Sequence, residues 1–159
     1  MTEEEAVRAL GENDEAAAAM AAAKLWEIWC ASGDPEIDRL LERGSEAMER
    51  GDLLAAEALF TDLIRRAPHF AEGWNKRATV RYLGGNHAAA IADCEETIER
   101  KPHHFGALSG QGLCHMALGQ HKEAADLFRR TLAVYPHLDA ARRNLVVALG
   151  EIVKGNGHG

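Results

Sequence analysis

Eight histidines and three cysteines are the side chains best able to do chemistry in this 159-residue chain. A metal site would need several of them at one point. His69, His103 and His137 each follow a proline, at intervals of 34 residues. If the chain stacks copies of one unit, equivalent places in neighbouring copies lie on the order of 10 Å apart. Zinc takes its ligands at about 2.0–2.1 Å, so one ion cannot hold all three. His103 and His104 are adjacent and diverge at a helix start, while His115 and His121 lie six apart across a turn. No HExxH or CxxCH stretch occurs. Cys30, Cys94 and Cys114 are odd in number and lack CxxC spacing, which reads as single reduced thiols. Cys94 takes the large apolar place of its helix and reads as buried and inert. Asp93, Glu95, Glu96 and Glu99 fall among arginines and read as the solvated face of an outer helix. No serine or cysteine has the context of a nucleophile elbow, and no glycine-rich phosphate loop follows a strand. Gly84-Gly85 reads as a turn between helices. The residues therefore predict no catalytic group, no metal and no cofactor.

The elements that carry these residues repeat. Pro68, Pro102 and Pro136 are 34 residues apart, and so are Gly51, Gly85 and Gly119. Ala56, Ala90 and Ala124 keep the interval, as do Phe60, Cys94 and Phe128, and Gly44, Ala78 and Gly112. The clearest copy is residues 71–102, with Trp74, Ala78 and Tyr82 on a first helix and Ala90, Ile91, Cys94 and Ile98 on a second. A 34-residue period with this punctuation predicts an array of helical hairpins. The expected units are 35–68, 69–102 and 103–136, then a terminal amphipathic helix over 137–154 and a disordered glycine-rich tail over 155–159. Residues 1–34 form a leading helical segment, with helices over 2–10 and 16–31. Trp26 and Ala22 lie 34 residues before Phe60 and Ala56. That phase reads as a degenerate leading unit whose tryptophans, Trp26 and Trp29, pack on the first hairpin and plug the open end of the array.

Trp74, Gly44, Gly112, the pairs Ala56/Phe60 and Ala124/Phe128 and the three prolines resemble the tetratricopeptide repeat pattern. The pattern is not complete. Arg43, Arg77 and Gln111 stand where leucine is usual, Ala47, Arg81 and His115 where tyrosine is usual, and Cys94 where phenylalanine is usual. The resemblance implies an all-α, right-handed α-solenoid whose first helices line a concave groove. It also implies noncatalytic binding of a protein or peptide segment there. By the family's phase the groove face carries Asp38, Leu41, Glu42, Ser45 and Met48; then Glu72, Asn75, Lys76, Thr79 and Tyr82; then Gly106, Ser109, Gly110, Leu113 and Met116. The terminal helix adds Ala140, Arg143 and Asn144. From these the candidate site is Asn75, Lys76, Thr79, Tyr82, Ser109, Leu113, Met116, Arg143 and Asn144. Asparagine side chains can fix an extended peptide backbone, and Lys76 with Arg143 can take a carboxylate. The plain alternative is a solvated helix face. Some relatives clamp the C-terminal carboxylate of chaperone tails. Here Leu41 and Ser45 replace the clamp's first lysine and asparagine, Lys76 replaces its second asparagine, and Gly106 and Gly110 replace its last lysine and arginine. A clamp of that kind is not expected.

Composition narrows the partners. Formal net charge is -7 and no basic block occurs, which argues against nucleic acid and anionic membrane. No stretch of 18 apolar residues is free of charge, so none spans a bilayer. The start, MTEEEAV, lacks a basic region followed by an apolar one, so a cytoplasmic location is expected, or export if a leader has been removed. A protein or peptide carrying an acidic or carboxylate group is the expected partner. The alternative is a self-associating adaptor, a homodimer through apolar ends near Trp26/Trp29 and Val146/Val153, or an accessory subunit.

Overall fold

The structure, a computed structural model, describes residues 1–157; the expected tail at 158–159 lies outside the described residues. Among the described residues are nine helices and no strand. They are α1 (Glu3–Ala9), α2 (Glu15–Trp29), α3 (Pro35–Glu49), α4 (Leu53–Arg66), α5 (Ala71–Leu83), α6 (His87–Arg100), α7 (Phe105–Ala117), α8 (His121–Val134) and α9 (Asp139–Gly157). The starts follow local chemistry. Thr2 and Glu5 form a reciprocal capping box on α1. Asp34 accepts from the Glu36 N–H at 2.9 Å, with Pro35 at the first helical position of α3. Gly51, Gly85 and Gly119 turn the chain within the three hairpins with φ of 79°, 83° and 74°, a conformation that costs glycine least. α9 runs to Gly157, three residues past the expected end at Lys154, since no proline interrupts it.

The described chain divides into two compact units. A central unit spans Trp26–His104 and holds the last turn of α2 with α3 to α6. Its core is Ile37, Leu40, Leu41, Ala47, Ala56, Phe60, Leu63, Ala67 and Val80. A terminal unit joins Met1–Leu25 to the chain from Phe105 onward. There Phe128, Ala124, Ala125 and Ala148 are buried, with Leu113, Met116, Leu145, Leu149 and Ile152 packed around them. Ala6, Leu10, Ala18 and Leu25 are fully buried in the same unit. The His137 ring sits 2.6 Å from the Glu12 carbonyl oxygen, tying the N-terminal segment to the start of α9.

Size complementarity explains why the repeat tolerates its departures. A Cβ at Gly112 would lie 2.6 Å from Phe128 Cε1, and a Cβ at Gly44 would meet Phe60 closer still. In the second hairpin the same two places hold Ala78 and Cys94, both buried. A larger residue on one helix accompanies a smaller one on the other, so the pair conserves volume.

One expectation fails in α6. Asp93 is 2% exposed, not solvated. Arg77 grips it through Nε at 2.9 Å and a terminal nitrogen at 2.8 Å, and Arg81 adds a third bond at 3.0 Å. Arg81 also binds Glu57 at 2.8 Å. Leu59 and Leu127 hold the equivalent place in the other hairpins. The middle hairpin therefore replaces an apolar contact with a buried ion pair, and the two arginines at unusual repeat positions are its partners.

Candidate peptide-binding face

In the central unit, α5 carries Glu72, Asn75, Lys76 and Thr79 at spacings that align them along one helix stripe. Glu72 is fully buried, which a carboxylate accepts only with partners. Asn75 Nδ2 donates to Glu72 Oε1 at 2.9 Å. The His104 ring lies 2.9 Å from Glu72 Oε2, with both side chains at zero exposure. Lys76 Nζ stands 4.0 Å from Glu72 Oε1 and is one-quarter exposed. Thr79 is exposed and donates back to the Asn75 carbonyl at 3.2 Å. Tyr82 is half-buried, its ring 5.3 Å from that of His87.

The end of α2 covers this stripe. Trp29, 4% exposed, stacks on the His104 ring at 4.1 Å and 16°. Trp26 is half-buried and stands edge-on to both rings, at 5.6 Å from Trp29 and 5.3 Å from His104. Cys30 packs against the core that contains Leu41. Its thiol pKa is pushed up by burial first and by Glu72 next, against a lowering by Lys76 and with a further rise from Asp38. Ser32 then donates to Asp38 Oδ1 twice, from its N–H at 2.9 Å and from Oγ at 2.6 Å. Residues of the same chain thus cover part of the first-helix face of α3 and α5, while Glu42 and Thr79 stay exposed.

That arrangement changes the reading of the leading segment. Trp29 stacks on His104, just past the second 34-residue unit, and also borders a cleft with Ile37 and Ala67 of the first and Phe70 of the second.

The remaining candidates lie in the terminal unit. Leu113 and Met116 are half-buried and pack on the Phe128 cluster, so they serve the core of that unit. Ser109 on α7 and Asn144 on α9 are partly exposed, and Arg143 is exposed. Lys76 and Arg143 therefore belong to different units. Sequence reasoning missed His104, Trp29 and Ser32. The available signal was register: His104 takes the place that Phe70 and Leu138 fill with apolar side chains. A histidine at an apolar place, 32 residues after a glutamate on the groove stripe, is the mark of a buried pair. Among the described residues no group of three or more His, Cys, Asp or Glu side chains could hold a metal ion, and no helix is long and apolar enough to cross a membrane.

The tetratricopeptide repeat family model matches residues 41–104 and 95–139. The chain belongs to the tetratricopeptide repeat family. A TPR repeat-containing protein of Rhizobium etli is 32% identical over 128 residues, covering 80% of this chain and 62% of the relative. The Hsp70-Hsp90 organizing protein of Triticum aestivum is 28% identical over 111 residues, 70% of this chain and 19% of that protein. The chain thus spans less than two thirds of either relative. Among solved structures, the Sgt2 TPR domain of Aspergillus fumigatus matches with a TM-score of 0.74 at 26% identity, covering 77% of this chain and 83% of that one. The TPR2B domain of yeast Sti1, solved as a complex with pHsp70, matches with a TM-score of 0.68 at 20% identity, covering 77% and 99%. The fold class is the all-α TPR solenoid class.

Proposed function

We propose that this TPR chain is a noncatalytic protein-interaction scaffold that binds a segment of a partner on the face of its first helices. The observation that carries this reading is that the central unit already receives a helix end: Trp29 stacks on the His104 ring, and Asp38 of α3 takes the Ser32 hydroxyl group. A surface that receives one helix end has the chemistry to receive another. The yeast Sti1 domain, solved with pHsp70, supports a peptide as the kind of partner. The clamp residues for a chaperone tail are absent, with Leu41, Ser45, Lys76, Gly106 and Gly110 in their places. We therefore read the partner as a segment whose acidic group meets Lys76 of the central unit and whose apolar side chains supply most of the affinity.

The test uses the chain as bait, with Lys76→Ala as the groove variant and Arg65→Ala as the outer-face control, both in the central unit. The groove variant weakens the captured partner at low salt and flattens its salt dependence, while the outer-face variant leaves affinity unchanged. The opposite pattern moves the site to the outer surface. Self-association is the second reading. Val146 and Val153 on α9 are each 70% exposed and seven residues apart, so they share a face. Of the two tryptophans in that reading, Trp29 is buried and Trp26 half-buried. Light scattering across a dilution series separates the two: a dimer that persists on dilution favours the adaptor.

A further inference from the structure

We propose that Trp29 to Ser32 form an intramolecular latch on the face of α3 and α5. We propose also that this face reads the C-terminal end of a partner helix bearing an aromatic residue three positions before a hydroxyl residue. The inference deepens the scaffold reading and rests on it, since it names what that face accepts.

Three observations carry it. First, the latch shows the accepted chemistry directly. The Trp29 indole lies nearly parallel to the His104 imidazole, and Ser32, three residues later, gives two hydrogen bonds to Asp38. Second, the polar cluster beneath the latch has partners of its own. Glu72 is held by Asn75 and His104, which come from α5 and the end of the central unit and not from the latch. Lifting the latch returns water to a carboxylate and an imidazole, and that hydration offsets part of the lost burial of Trp29. Third, the latch has room to move. One flank borders a cleft of about 300 Å³ lined by Ile28, Trp29, Ser32, Ile37, Phe70 and Lys101. The latch ends at Gly33, whose φ of 86° and open surroundings suit a hinge. A partner segment competes with the latch, so its apparent affinity is its intrinsic affinity multiplied by the fraction of molecules with the latch open.

The chemistry of the face selects the partner. An aromatic ring goes on His104 and a hydroxyl on Asp38, while the exposed Glu42 on α3 disfavours an acidic side chain at this end. Acidic residues belong further along α5, toward Lys76.

The experiment uses the full chain and a fluorescein-labelled peptide of its own residues 13–32 carrying Cys30→Ser, read by fluorescence anisotropy. Wild-type protein binds this peptide weakly. Trp29→Ala binds it at least about tenfold more tightly, because the variant's own latch no longer competes. A control peptide that also carries Trp29→Ala binds neither protein. In parallel, N-ethylmaleimide labelling followed by mass spectrometry reads release of the latch. Cys30 is part-exposed, while Cys94 and Cys114 are buried. Trp29→Ala speeds Cys30 labelling by about tenfold or more and leaves Cys94 and Cys114 protected. If those two also label rapidly, the variant has unfolded, and Ser32→Ala, which removes one side-chain donor, decides in its place. Equal peptide affinity for wild type and a folded latch variant, or unchanged Cys30 labelling, overturns the latch. No outside partner enters the assay, so its failure is separate from failure of the scaffold reading, which the groove and outer-face variants test.

Discussion

Gly112→Ala and Phe128→Cys together transplant into the third hairpin the pair that the second hairpin carries as Ala78 and Cys94. Each single change should harm the fold, and the two should partly cancel. At position 112 a new methyl group would lie 2.6, 2.9 and 3.0 Å from three atoms of the Phe128 ring. Such overpacking costs about 1–3 kcal/mol, against a gain of about 1 kcal/mol in helix propensity on replacing glycine. The expected net loss is about 1 kcal/mol. Phe128 is fully buried, and cutting it back to cysteine leaves most of a ring-sized cavity, a loss of about 3 kcal/mol. In the double variant the clash is gone, the propensity gain is realised and the methyl group fills part of the void, so the loss falls to about 2 kcal/mol. The coupling is then about -2 kcal/mol, well outside the additivity expected of independent sites. Urea unfolding followed by circular dichroism measures all four proteins, with midpoints compared at constant slope. A coupling indistinguishable from zero would refute the claim that paired residue size keeps these hairpins in phase.

Further outcomes are expected from the central unit. Trp29→Ala should cost about 3–5 kcal/mol in thermal or urea unfolding, because the side chain is buried in the closed latch, and the half-buried Trp26→Ala should cost clearly less. Asp93→Ala leaves Arg77 part-buried without its carboxylate and should destabilise by about 3–5 kcal/mol. Arg77→Gln with Asp93→Leu installs the Gln111/Leu127 pair of the next hairpin, and calorimetry should find it near neutral or stabilising. The raised Cys30 pKa keeps the thiol protonated in the fold where an exposed thiol has ionised. Its contribution to stability is therefore full below the ordinary thiol pKa of about 8.5 and declines as pH climbs beyond it. Cys30→Ser should flatten the fall in melting temperature between neutral and alkaline pH, and an unchanged slope would assign that fall to other groups.

The sequence by itself determined the period, the hairpins and the turns. Gly51, Gly85 and Gly119 recur because a left-handed turn residue is a local requirement, independent of what packs around it. Gly44 with Phe60 and Gly112 with Phe128 recur because each hairpin must fill the same volume. Such constraints repeat with the unit and are legible as registers. The departures carried the rest, and their meaning was not local. Asp93 looks like one more charge on an outer helix until Arg77, 16 residues earlier, is folded against it. Glu72 looks like a groove residue open to a ligand until His104, 32 residues later, pairs with it and Trp29 stacks on that ring. Burial and pairing of a charge depend on which surfaces the chain brings over it. A segment that does not share the repeat, such as the end of α2, leaves no periodic trace of where it will lie. Tertiary structure alone decided that part of the face predicted to hold a partner is covered by the protein's own helix end.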